Sequence, residues 1–328
     1  MKNKKSVLSN ENIALYVRSY ALMGIFLLMC IGFAIASPTF LTMSNIIGVF
    51  RQISTNGILA IGMTLVIITG GIDLSIGPLA AIAGVVSAMI LEKYPDLLLP
   101  ALLSGIIAAA VMSMWTGLLV AKMRIAPFIA SLSTMSIAKG IALLAADGVP
   151  HTISNAAYIK IGNGYLWDPN KTGGLSIPTP VLVIFIVAVV IWIVLNKTKY
   201  GRHIYAVGGN ENAAIASGIN AARVKFCTYV LNGLLCGIAG IVLAGRITSG
   251  QPTAAAGYEM DAITAVIVGG TSMTGGVGKI GGTIIGALII GVLNNGLILM
   301  GVSSYYQQII KGIIIAVAVL LDMKTKKN

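Results

Sequence analysis

Residues 97–121 read LLLPALLSGIIAAAVMSMWTGLLVA, twenty-five positions without a charge. A helix rising 1.5 Å per residue needs about 20 apolar residues to cross the ~30 Å hydrocarbon core of a bilayer. The rest of the chain is built alike. Of 328 residues, 57% are hydrophobic and 10% charged. A soluble domain carries about 25% charge, so this chain cannot keep a surface wet. Disordered, collagen-like and disulfide-scaffold classes are excluded by the same figures. The fold class is an all-α polytopic membrane protein.

Outward from this stretch, charges and Gly/Pro breaks divide the chain into ten apolar runs. They cover residues 19–36, 53–69, 78–91, 97–121, 125–145, 179–195, 226–244, 262–276, 280–300 and 306–321. Residues 1–18 and 323–328 are then tails flanking one membrane domain, 19–322. The N-terminus is polar for too long to resemble a cleavable signal and is read as the mature start. The excess of 22 basic over 10 acidic residues sits at run ends, which points to orientation in the bilayer rather than to nucleic acid. With the N-terminus inside, 15 Lys and Arg fall in inner segments and 5 in outer ones, so ten crossings with both ends cytoplasmic satisfy the positive-inside rule.

Two glycine-rich breaks interrupt the apolar pattern: TGGIDLSIGP at 69–78 and GGTSMTGGVGK at 269–279. Glycine costs a helix about 1 kcal/mol relative to Ala, so both read as broken or re-entrant segments. Such backbone is tolerated at membrane depth only where it is buried in protein or lines a wet cavity. TLVIITGG at 64–71 resembles TAVIVGG at 264–270, a weak internal repeat. Matching interruptions of this kind point to a substrate path in transporters.

Few residues offer chemistry. Gly276-Val-Gly278-Lys-Ile-Gly281 fits G-x-G-x-x-G, but no βαβ unit surrounds it, and no Walker A loop occurs. His151 (outer) and His203 (inner) cannot meet in a metal site, and the three cysteines fit no zinc or disulfide spacing. No metal, cofactor or catalytic residue is therefore expected. Asp73 reads either as a cap of the third run or as a passage residue. Lys139 and Lys311 are expected to snorkel to the outer interface. Asn232, Asn294 and Asn295 lie within runs as interhelical donors or pore-lining groups; Asp73, Asn294 and Asn295 form the candidate translocation path. Gly233-x-x-x-Gly237 and Gly282-x-x-x-Gly286 signal close helix packing. The inner loop 196–225 carries ENAAIASG, a short helix-compatible stretch closed by Gly218. A transporter with a docking partner, a secondary transporter or channel for a small polar solute, and a membrane enzyme all remain open on these residues.

GGIDLSIG at 70–77, IYAVGGNENAAIASGIN at 204–220, QPTAAAGYEMDAI at 251–263 and VGGTSMTGGVGKIGGTIIGALIIGVLNNGLILMGVSSYYQQIIKG at 268–312 resemble the simple-sugar permeases of bacterial ABC importers. The resemblance runs from about Ser37 to Asp322. It implies a permease homodimer in the inner membrane that passes ribose or a related monosaccharide. It also implies a cytoplasmic ATPase partner and a periplasmic sugar-binding protein. By the same resemblance Gly209, Asn210, Glu211, Ala213, Ala214 and Gly218 are ATPase-coupling residues. Ala216 departs from the family, which has a larger aliphatic or basic residue there.

Overall fold

The computed structural model describes residues 10–166 and 177–325. Lys2, Lys4, Lys5, Lys171, Lys326 and Lys327, and the WDPNKTGG stretch at 167–174, lie outside the described residues. Every one of the ten apolar runs holds a helix. In chain order these are α1 (Asn10–Ala36), α2 (Met43–Ile68), α3 (Ile76–Lys93), α4 (Leu98–Ala121), α5 (Pro127–Ala145), α7 (Thr179–Lys197), α10 (Ala221–Ile247), α11 (Tyr258–Val268), α12 (Ile280–Leu299) and α13 (Ser304–Thr325). Between them lie the shorter α6 (Ala156–Asn163), α8 (Lys199–Gly209) and α9 (Glu211–Ala216). Among the described residues α2, α3, α4, α5, α7, α10 and α12 are long and apolar enough to cross a membrane. The first helix begins at Asn10, well before the expected start of the first run at Ser19.

α2 is the axis of the molecule. Every residue from Ile53 to Ile68 is buried, the polar Ser54, Thr55, Asn56 and Thr64 included, which marks a helix enclosed by others on all faces. α10, α12, α11, α7 and α8 all pack against it. α10 in turn packs on α3 and α4 through small residues. A Cβ on Gly240 would lie 2.1 Å from the Ala80 carbonyl oxygen, and one on Gly237 would lie 2.6 Å from Ile106 Cα. On α12, Cβ atoms at Gly282 and Gly286 would meet the carbonyls of Gly269 and Ala265 at 2.1 and 1.9 Å. Both small-x-x-x-small patterns thus bring backbones together, the ordinary membrane use of the motif.

Segments assigned to one side of the bilayer meet one another. Residues His151–Thr152 (β1) pair antiparallel with Ser249–Gly250 (β2). His151 Nδ1 lies against Glu92 Oε2, and Arg51 donates to the Asn163 carbonyl at 2.6 Å. At the opposite end Lys225 pairs with Glu211 at 2.6 Å.

The eighth run is not a full span. α11 has only 11 residues, about half of what a crossing needs. It starts after a turn at Gly257, φ +85°. The preceding segment lies against the base of α3, since a Cβ on Gly77 would meet the Ala255 carbonyl at 2.6 Å. Gly77 is some 15 residues, or about 22 Å of helix, from the Glu92 end of α3. The chain therefore re-enters before α11 begins, and α11 is a half-helix rooted at depth.

The glycine seam gives a direct test. Gly237→Val forces α10 off α4, and overpacking of this kind costs about 1–3 kcal/mol. Its melting temperature in detergent should drop by several degrees. Gly281→Val, whose Cβ would meet nothing within 4 Å, should melt with the parent chain.

Candidate functional site

The inner loop folds into two helices rather than one. Thr198 opens α8 by accepting the Gly201 N–H at 3.1 Å. The Asn210 side chain opens α9 by accepting from Ala213 N–H at 3.0 Å, and the Asn220 side chain opens α10 by accepting from Arg223 N–H at 2.9 Å. Glu211 stands in the first turn of α9, where its charge complements the dipole. Gly218, φ +83°, closes α9 with Gly218 N–H to Ile215 O at 2.9 Å and Ile219 N–H to Ala214 O at 3.0 Å. That pair of bonds is a Schellman cap, and it requires the left-handed conformation glycine supplies. The sequence indicated α9 and its closing Gly218 but missed the Asn210 cap and α8. Its only signal is the Thr198 cap with Ile204 and Val207 on one buried face.

α8 is where the two glycine breaks meet. A Cβ on Gly208 would lie 1.7 Å from the Ile68 carbonyl oxygen at the end of α2. That same carbonyl accepts the Gly276 N–H at 2.9 Å. Tyr205 Oη donates to the Gly278 carbonyl at 2.8 Å. Tyr200 Oη donates to the Val224 carbonyl at 3.1 Å and lies 2.9 Å from Thr228 Oγ1, which fastens α8 to α10. Burial pushes both phenols above their ordinary pKa, so they stay neutral donors at cellular pH. The G-x-G-x-x-G run is spent on this packing: a Cβ on Gly278 would strike Ile68 and Thr271 at 2.8 Å.

The two breaks are built alike. α2 ends at Ile68 and α11 at Val268. Gly70 and Gly270 have φ +79° and +88°. Gly70 N–H bonds Ile67 O and Gly71 N–H bonds Val66 O; Gly270 N–H bonds Ile267 O and Thr271 N–H bonds Val266 O, all at 2.9–3.1 Å. The sequence repeat is thus a repeat of structure, with the same cap 200 positions apart.

Of the candidate path residues, Asp73 is fully buried. Its Oδ1 accepts the Ser75 N–H at 2.9 Å and the Ser75 hydroxyl, and its Oδ2 accepts from Asn232 Nδ2 at 2.8 Å. It therefore both caps the entry to α3 and braces α10. Asn295 exchanges two amide bonds with Asn45, at 3.0 and 2.8 Å. Asn294 donates to Asp261 Oδ2 at 3.1 Å and lines a cavity. The structure does not bring the three together. Of the coupling set, Ala213 and Glu211 are exposed but Ala214 is buried at 4% exposure. Its methyl packs inward, while the neighbouring Ile215 is exposed. For Lys311 the expectation is corrected. Its ammonium is not left to water alone but pairs with Asp261 at 2.8 Å, a contact no sequence spacing indicated. Lys139 borders a small cavity beside Glu259.

Residues 45–319 match the model of the branched-chain amino acid transport system / permease component family. The chain belongs to this permease family. It is 47% identical to the ribose import permease protein of Bacillus subtilis (strain 168), over 92% of this chain and 91% of that one. It is 46% identical to the ribose import permease protein of Escherichia coli (strain K12), over 88% of each chain. It is 34% identical to the L-arabinose transport system permease protein of E. coli (strain K12), over 94% and 91%. No solved structure matches. The family proteins are transport components, so this membrane chain is a permease rather than an enzyme.

The junction under α2 is open to a local test. Gly208→Ala should lift α8 off Ile68 and speed amide exchange at Gly276 by roughly tenfold, the effect of ~1.4 kcal/mol on a local opening. Gly209→Ala, whose Cβ meets nothing within 4 Å, should leave that rate unchanged.

Proposed function

We propose that this chain is the membrane-spanning subunit of an ATP-driven importer of a simple sugar, ribose or a related monosaccharide. A cytoplasmic ATPase supplies hydrolysis, and a periplasmic binding protein delivers the sugar. Two copies of the permease form the working unit in the bacterial inner membrane. About ten segments enter the bilayer, α11 among them as a half-helix, and both termini are cytoplasmic. The sugar class follows the ribose and arabinose permeases that the chain matches over nearly its full length. The sidedness follows the distribution of Lys and Arg.

One observation carries the mechanism: the inner surface element α8–α9 is locked by backbone contacts to both glycine breaks. A displacement of α9 by a closing ATPase cannot be absorbed by side chains, because at Gly208 none intervenes. It passes into the end of α2 and the 275–278 turn, where the bundle is already discontinuous. In this reading Asn210, Glu211 and Gly218 hold the shape of α9, Gly209 joins it to α8, and Ala214 seats it. Ala213 and Ile215 (54% exposed) present it to the partner. Asp73 and Asn295 brace the moving helices beside the passage.

Ile215→Asp, at an exposed position, should leave membrane insertion intact. It should cut co-purification of the ATPase by roughly tenfold or more, the loss expected when a carboxylate replaces an apolar anchor. Gly218→Val should act the same way, through strain at positive φ. In proteoliposomes the assembled wild-type complex should take up ribose only with ATP and loaded binding protein. Uptake that needs neither would instead favour a secondary transporter. Reporters inserted at Asn163 and at Ser217 should read outside and inside.

A further inference from the structure

A cavity of about 540 Å³ lies between α2, α11, α12 and α13, within the roughly 300–1,000 Å³ range of small-molecule sites. Its polar wall comprises Gln52, Asp261, Asn294, Gln307, Gln308 and Lys311. Asp261 is 7% exposed in its side chain. Its Oδ1 and Oδ2 lie 2.8 and 3.2 Å from Lys311 Nζ. Asn294 donates to Asp261 Oδ2, yet its own carbonyl oxygen has no hydrogen-bond partner among the described residues. Asn294 is only 4% exposed. A buried acceptor with nothing donating to it is costly to the folded chain, and this one belongs to a residue of the cavity wall, within reach of a visiting donor after a small turn of the amide.

The chemistry of the wall narrows the visitor. The Asp261–Lys311 pair cancels its own charge, so the wall carries no net charge to select an ion. Three glutamines and one asparagine offer donors and acceptors in the same space, as required by hydroxyls that both give and accept. Met260, Ile298 and Ile315 complete the lining with apolar surface that the C–H face of a sugar ring can cover. Asp261 stands in the first turn of the half-helix, so the wall begins where the bundle is broken at depth, the usual place for a transporter site.

We infer that this cavity is a contact station for a neutral polyhydroxyl substrate on its way through the permease. A substrate hydroxyl donates to the Asn294 carbonyl, and Lys311 holds Asp261 in place. Asn294 and Asp261 act as substrate-contacting residues, and Lys311 acts as a positioning residue. The inference rests on the sugar-import reading and deepens it to one site.

Gly312 lines the same cavity, and a Cβ there would meet nothing within 4 Å. Gly312→Leu therefore fills space without disturbing the fold. In the complete complex in proteoliposomes, with ribose as the probe, Gly312→Leu and Asn294→Leu should each lower uptake about tenfold while the complex still assembles. If Asn294→Leu fails to assemble, Gly312→Leu decides. In Gly312→Cys, a small maleimide should alkylate Cys at that position several-fold more slowly during ribose turnover than without ribose. The parent chain, with its three cysteines, sets the background. Uptake within twofold of wild type in Gly312→Leu, or alkylation indifferent to ribose, overturns the station while the importer stands. A wild-type complex with no ATP-dependent ribose uptake overturns both.

Discussion

A carbonyl at the end of a helix inside a membrane protein must find a donor, because hydrocarbon supplies none. Here the Ile68 oxygen finds the N–H of Gly276, and the rest of the inner half is arranged around that bond. Two broken helices come to one point. A surface helix must approach the same point without a side chain at Gly208, and the tyrosines at 200 and 205 hold that helix to the bundle. The glycines of both breaks follow from this geometry. They let the end of α2, the 275–276 turn and α8 approach backbone to backbone, which side chains would prevent.

A junction of bare backbone is also stiff. Packed side chains can hop between rotamers, but a peptide group pressed against another has only its dihedrals, which the caps at Gly70 and Gly270 already fix. Motion arriving at α8 is therefore shared by α2 and by the turn before α12. α2 is bonded to α12 itself through Thr64 and Thr283 at 2.7 Å. The half-helix α11 lies directly against that pair. The cavity holding Asp261 and Asn294 is thus separated from the inner surface element by one half-helix.

The sequence made the membrane class plain, because apolar runs and their flanking charges need no tertiary information. It also located both breaks, the capped helix at 211–216 and the small-residue seams, all of which are local signals. Long-range pairings were not legible. Asp73 and Asn232 are 159 positions apart, and Asp261 and Lys311 are 50 apart. No periodicity ties such residues, so Lys311 read as a snorkelling lysine. The burial of Ala214 was not legible for a different reason. A six-residue helix of small residues has no apolar stripe from which its buried face could be told. α8 was hidden by its three glycines, tolerated here by close packing that propensity does not see.

The bond between Ile68 and Gly276 has a consequence for how the protein is made. Its two halves are 208 residues apart in the chain (276 − 68). At about 5–20 residues per second, a ribosome needs roughly 10–40 s to supply the second after the first. For that interval the Ile68 carbonyl lacks its Gly276 donor and must find another, such as water. The bond itself can form only once residue 276 has been made. The core of this permease is thus completed late in synthesis, and a chain truncated before residue 276 lacks the donor for the carbonyl that ends its most buried helix.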